Sequence, residues 1–155
     1  AGKTGAFRPK DSLGEKECLE WLFWQTGNQG PMAGQLSHFV NYAPEGQDYA
    51  RQRYLGEYDR NLGVMEARLA ERDWLVGDAY SIADMQAWPW VLIAKPLTAS
   101  LDAFPRLSDW RARIKERPAV QRAVNLLKDR QNRGRHNASN NSVLYNQSSA
   151  HLRDL

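Results

Sequence analysis

The run Trp74-Leu75-Val76-Gly77-Asp78-Ala79-Tyr80-Ser81-Ile82-Ala83-Asp84-Met85-Gln86-Ala87-Trp88-Pro89-Trp90 constrains the fold more than any other stretch, because it joins a loop, a helix start and an apolar helix. Ser81 has the side chain to accept a hydrogen bond from the backbone N–H of Asp84, and the Asp84 carboxylate can reach back to the N–H of Ser81. That is a reciprocal helix cap, with Asp standing where Glu or Gln is commoner. Tyr80 and Met85 fall at the two positions of a hydrophobic staple. From Ile82 to about Ile93 the segment is apolar nearly all round, as a central buried helix should be, and Pro89 removes a backbone donor and is expected to kink it. A Ser and an Asp this close also suggest a catalytic pair. A nucleophilic Ser, however, needs a general base held in order by a third group, and His38, His136 and His151 have no local relation to Ser81. The pair is therefore read as structural.

Periodicity and caps mark out five helical segments, and nothing alternates as a strand does, so the expected class is all-α, a bundle of about five helices followed by a polar C-terminal tail. The first helix is expected to start after Ser12, with Glu15 as its capping-box partner, and to carry Cys18, Leu19, Leu22 and Phe23 inward as far as about residue 26. Gly27-Asn28-Gln29-Gly30-Pro31 breaks or bends it, and Met32 to Phe39 resumes it because Pro is tolerated in a first turn, so a long bent helix is expected. Asp48 is expected to cap a second helix reaching about Arg72, with Ala50, Tyr54, Tyr58, Leu62, Met65 and Leu69 on its core face and Arg60, Arg68 and Glu71 in solvent. A fourth helix opens at Asp102 to Pro105 and turns Leu107, Trp110 and Ile114 inward. The fifth starts at Pro118 and buries Val120, Val124 and Leu127. From Gln131 on, Asn, Ser, Gln, Arg and Gly dominate, as in an ordered arm or a disordered tail.

At 155 residues, 42% hydrophobic with six Trp and six Tyr, the chain has enough apolar surface for one core. No apolar run approaches the roughly 20 residues that span a bilayer, and no basic-then-apolar leader opens the chain. The single Cys18 excludes an internal disulfide and reads as a small buried hydrophobe, consistent with a cytoplasmic protein. The net charge of +3 lies in the tail: residues 1–127 carry 16 basic and 16 acidic side chains, and residues 128–155 carry five against two. A neutral body without a basic stripe argues against nucleic acid as a partner.

Several segments together resemble the C-terminal helical domain of the cytosolic glutathione transferases. They are Trp21-Leu22-Phe23-Trp24-Gln25, Gly30-Pro31-Met32, Tyr42-Ala43-Pro44, Tyr49-Ala50-Arg51-Gln52-Arg53-Tyr54, the capped helix from Ser81 through Trp88-Pro89-Trp90, and Glu116-Arg117-Pro118-Ala119-Val120. The likeness spans roughly residues 7 to 125 and is greatest to the nu class, the bacterial disulfide-bond oxidoreductases related to the fungal nitrogen-regulator transferases. Arg135-His136-Asn137-Ala138-Ser139 resembles the long C-terminal extension of one branch of that class.

The resemblance implies a division into residues 1–10 as the remnant of an interdomain linker, 11–128 as the helical domain and 129–155 as an extension, with the thioredoxin-like domain that activates the glutathione thiol absent. It implies no catalytic residue here, glutathione as co-substrate without a metal, and as partners a small electrophile or disulfide, the missing domain and a second copy in a homodimer. It further implies that Trp24, Met32, Gln35, Phe39 and Tyr42 line the second-substrate pocket. Arg53 matches an arginine that pairs with a carboxylate of glutathione. Lys10 matches a position near bound glutathione that holds Gln in a relative of the same branch, and His136 in the tail either closes over the pocket mouth or, as a lone His in a polar segment, stays solvated. The expected function is one half of an enzyme that conjugates glutathione to electrophiles or reduces disulfides, inactive by itself. The alternative is a non-catalytic binding or assembly module on the same fold.

Overall fold

The computed structural model describes residues 3–97 and 99–126. Among them are six α-helices and no strand: α1 (Ser12–Trp24), α2 (Gly30–Asn41), α3 (Asp48–Arg68), α4 (Ile82–Leu92), α5 (Pro105–Lys115) and α6 (Pro118–Asn125). The class is all-α, as expected. Gln25–Gln29 form a π-helical turn that carries α1 into α2 without a break, so the long bent helix is present, and counted as one it leaves the five helices read from the sequence. A first compact unit ends at Arg117 and holds α1–α5; a second begins at Pro118 with α6. The tail from Gln131, with Arg135–Ser139 and His136, lies outside the described residues.

Within the first unit α4 is central, packed by α1, α2, α5 and the π turn. Its start is the expected reciprocal cap, and the cap is larger than two residues. The fully buried Asp84 carboxylate accepts from the Leu75 N–H (3.0 Å) and the Trp110 indole N–H (2.8 Å) on Oδ1, and from the Ser81 N–H (2.9 Å) and hydroxyl (3.0 Å) on Oδ2. Gly77, at φ +56°, supplies the left-handed residue that turns the loop back. Tyr80 is held between Trp74 and Phe7, with the Arg117 guanidinium 3.9 Å from its ring centroid. The Phe7 carbonyl accepts from the Ile82 N–H (2.9 Å), which ties the N-terminal segment to the same helix end.

The far end of α4 is closed by two side chains and one backbone amide. A helix leaves its last four carbonyls without internal donors. Here the Tyr58 hydroxyl donates to the Trp90 carbonyl (2.6 Å), Arg111 Nη2 to that of Leu92 (3.1 Å), and the Ala94 N–H to that of Val91 (3.3 Å). The Trp88 indole donates in turn to the Arg111 carbonyl (3.0 Å), so α4 and α5 are bonded in both directions. The helix runs through Pro89, which is exposed. The π turn is tied to α4 by Gln86, which donates to Gln25 Oε1 (2.6 Å) and Thr26 Oγ1 (2.8 Å), and by buried Gln29, which donates to the Ala87 carbonyl (3.2 Å). Gly30 permits this approach, since a Cβ there would stand 3.0 Å from the Gln25 amide and 3.2 Å from its carbonyl.

Leu107, Trp110 and Ile114 of α5 are fully buried, as are Tyr58, Leu62 and Met65 of α3, with Leu69 just beyond its end; Ala50 and Tyr54 are half-buried. Several expectations need correction. The N-cap of α1 is Asp11, whose carboxylate accepts from the Gly14 N–H (2.8 Å), and Ser12 is already helical. Only Cys18 of the expected inward set on α1 is buried, while Leu19 is 44% and Phe23 75% exposed and Leu22 is intermediate. α1 carries two apolar stripes, and spacing alone does not say which one meets α4. The cap position of α3 is Gln47, with Asp48 inside the first turn, and α3 stops at Arg68 rather than about Arg72. Arg68 is partly buried instead of solvated: it donates to the Leu75 carbonyl (2.8 Å) and pairs with Glu17 (2.6 Å), so its long stem spans from α3 to α1. Of the set expected on α6, Val120 is intermediate and Val124 42% exposed, and Leu127 lies outside the described residues.

Candidate functional site

Met32, Gln35, Phe39 and Tyr42 recur at spacings of three, four and three, which puts them on one side of α2 and at its end. The α2 and α3 helices pack on each other, and the Phe39 ring stacks on Tyr54 of α3 at 5.5 Å between centroids and 13° between planes. His38 meets Phe39 edge to face at 5.2 Å and lies 6.4 Å from Tyr42. The result is an aromatic ledge of half-buried rings, with Gln35 exposed beside it and Tyr49 84% exposed at the start of α3. Trp24 is half-buried and its ring contact is with Trp21 of α1 (5.0 Å, edge to face). Of the five residues expected to line a pocket, Met32, Gln35 and Phe39 lie on α2, Tyr42 caps its C-terminal end and Trp24 lies on α1, and ring contacts through His38 link Phe39 with Tyr42.

Arg53 is next to Tyr54 in the chain, with its side chain 60% exposed. Its Nη1 donates to Glu57 Oε1 (2.8 Å), while Arg60 donates to Glu57 Oε2 (3.0 Å from Nε) and to Asn28 Oδ1 (3.3 Å) of the π turn. The hydrogen bond from Arg53 and then that from Arg60 hold the Glu57 carboxyl below the usual range, and the same bond holds the Arg53 guanidinium above its own. Charge spacing in the chain signals this trio, since Glu57 stands four residues after Arg53 and three before Arg60. Tyr54 and His38 join the ring cluster without being singled out by the sequence, since the spacing of Tyr54 marks it as core and the signal for His38 is its place four residues before Tyr42.

Lys10 is on the N-terminal segment, exposed between Pro9 and Asp11. Those two neighbours line a cleft of about 290 Å³ with Phe7, Arg8 and the loop from Val76 to Ser81. Arg8 is ion-paired with Glu15 there. Cys18, the sole cysteine, is buried and its thiol is pushed up by burial, the opposite of what a nucleophilic thiol needs. Ser81 and Asp84 are wholly engaged in the cap. No cluster of His, Cys, Asp or Glu among the described residues is placed to hold a metal ion, and no described helix is long and apolar enough to cross a membrane.

The sequence profile described as "Glutathione S-transferase, C-terminal domain" matches residues 31–118. This chain belongs to that family. Among curated proteins, this transferase domain is 41% identical over 124 residues to the disulfide-bond oxidoreductase YfcG of Escherichia coli K12, covering 80% of this chain and 58% of that protein. To the disulfide-bond oxidoreductase YghU of the same organism it is 38% identical over 129 residues, covering 79% and 45%. Among solved structures it matches a glutathione transferase from Burkholderia graminis, crystallised with two glutathione molecules per subunit. The TM-score is 0.74 at 40% identity, with 83% of this chain and 56% of that chain covered. The transferase domain therefore spans about half the length of the relatives it matches.

Proposed function

We propose that this domain is the helical half of a glutathione-dependent enzyme that reduces disulfides, and that it supplies the wall for the second substrate. The observation that carries the reading is the ledge of Phe39, Tyr42 and Tyr54 with Arg53 beside it, in a chain 41% identical to a disulfide-bond oxidoreductase. Support for glutathione comes from the Burkholderia graminis structure, which holds two molecules of it per subunit. Two glutathiones balance the chemistry. One thiolate attacks a disulfide sulfur and releases a thiol; the second attacks the mixed disulfide, releasing the other thiol and leaving glutathione disulfide. Conjugation of an electrophile uses the same thiolate once.

In this scheme a carboxylate of glutathione pairs with Arg53, whose guanidinium keeps donors in solvent beyond the one on Glu57, and Lys10 adds charge from the N-terminal segment. Trp24, Met32, Gln35, Phe39 and Tyr42 face the second substrate, and an apolar or aromatic group fits the stacked rings. Activation of the thiol, whose ordinary pKa is about 8.5, needs donors or positive charge at the sulfur. Buried Cys18 and the spent Ser81–Asp84 pair offer nothing to that step, so it falls to the remainder of the whole enzyme. A cytosolic setting and a homodimer go with this reading; light scattering checks the dimer.

The test is glutathione-dependent reduction of bis(2-hydroxyethyl) disulfide. Residues 1–155 alone should give no turnover above the uncatalysed rate. A chimera in which they replace the matching part of YfcG should turn over, and Arg53→Ala in it should raise KM for glutathione more than it lowers kcat. Turnover by residues 1–155 alone would overturn the division of labour, and a folded but inactive chimera would favour a non-catalytic binding module.

A further inference from the structure

Beyond the ledge, a second feature collects uncommitted polar groups. The short 3-10 turn Lys95–Leu97, residues 99–102 and α5 border a cleft of about 500 Å³, into which Lys95, Ser100, Asp102, Ser108 and Arg111 contribute. None of the ion pairs among the described residues involves Lys95 or Arg111. Arg111 is anchored by the single bond from Nη2 to the Leu92 carbonyl, and its Nε, sealed from solvent, has no partner. Ser108 stands three residues before Arg111, on the same face of α5. The Ser100 oxygen accepts from the Asp102 N–H (3.0 Å), which leaves its hydroxyl proton to donate. Two cations against the Asp102 carboxylate leave the cleft one positive charge. A second cleft, of about 530 Å³, shares Ala99 and Ser100 with the first and continues over α3 at Gln52, Leu55, Gly56 and Asp59, whose carboxylate favours a neutral or cationic ligand body there.

We propose that this cleft binds an oxyanion, the carboxylate or phosphate group of a small molecule. Lys95 and Arg111 supply charge, the two serines supply neutral donors, and the adjoining cleft takes the body of the ligand. A planar guanidinium held at one corner suits a two-oxygen group, and the exposed ammonium of Lys95 meets it from the rim. This site is independent of the glutathione reading, because none of its residues belongs to the ledge.

The Trp88 indole N–H, bonded to the Arg111 carbonyl, is a reporter at the wall of the cleft. We would titrate the whole chain with inorganic phosphate and, separately, with acetate at constant ionic strength, using chloride as control and following the Trp88 indole and Ser108 amide by NMR. Saturable shifts are expected in at least one arm, and the arm that saturates assigns the group. Lys95 is exposed, so Lys95→Ala should leave the melting midpoint unchanged and weaken binding at least tenfold. Linear shifts in both arms, or equal affinity in Lys95→Ala, would overturn the site.

Discussion

Asp84 and Glu57 are both carboxylates that gather several donors, yet they do opposite work. Asp84 is sealed in the core and its donors are two backbone amides, a hydroxyl and an indole, all fixed by the chain's own path. Glu57 is 20% exposed and its donors are two guanidiniums on flexible stems. Removing the first leaves buried donors with nothing to bond, whereas water or a ligand replaces the second at little cost. The contrast teaches that the number of hydrogen bonds does not rank a polar group; whether its partners have an alternative does.

Asp84→Ala should have the largest effect, about 3–5 kcal/mol of lost stability in denaturant titration, because Leu75, Ser81 and Trp110 keep buried N–H groups without an acceptor. A loss under about 1 kcal/mol would erase the contrast with Glu57. Tyr58→Phe comes next, at about 1 kcal/mol, for the bond that closes the end of α4. It also sharpens a pH dependence. Burial raises the Cys18, Tyr58 and Tyr80 groups, so the folded chain keeps their protons longer than the unfolded chain. Above the ordinary thiol range, about 8.5, the unfolded state binds fewer protons and stability should fall as pH rises. Tyr58→Phe should shallow that slope near the ordinary phenol range, and a slope unchanged by it would remove Tyr58 from the account. Phe39→Ala should cost about 1 kcal/mol, since the ring is half-exposed and loses one stacked partner. Arg53→Ala should leave the melting midpoint where it is while altering glutathione kinetics in the chimera; a large drop in the midpoint would make Arg53 a structural residue.

Legibility in the sequence followed the range of the interaction. The α4 cap was readable because its reciprocal bonds lie within four residues, and the inward set of α5 because one helix has one apolar stripe. The donors from Leu75 and Trp110 to Asp84 were not readable, since they arrive from nine and 26 residues away. Nor was the fate of α1, where Leu19 and Phe23 and the stripe through Cys18 have similar composition and only tertiary packing selects between them. On the ledge, the spacing of Met32, Gln35, Phe39 and Tyr42 was visible in the chain. The stack of Phe39 on Tyr54 depends on how α3 returns beside α2, and no local pattern encodes that return.

The five-residue turn between α1 and α2 is a matter of arithmetic as much as of bonding. Each residue added to or taken from a helix rotates everything beyond it by about 100° and moves it about 1.5 Å along the axis. A π turn holds one residue more than an α-helical turn, so deleting one from Gln25–Gln29 would leave Phe39 and Tyr42 facing nearly as they do, whereas deleting Ala33 from the regular helix would swing them by more than a quarter turn away from Tyr54. The face that α2 turns toward α3 is thus set by the count of residues in regular helix, with the π turn absorbing the extra one.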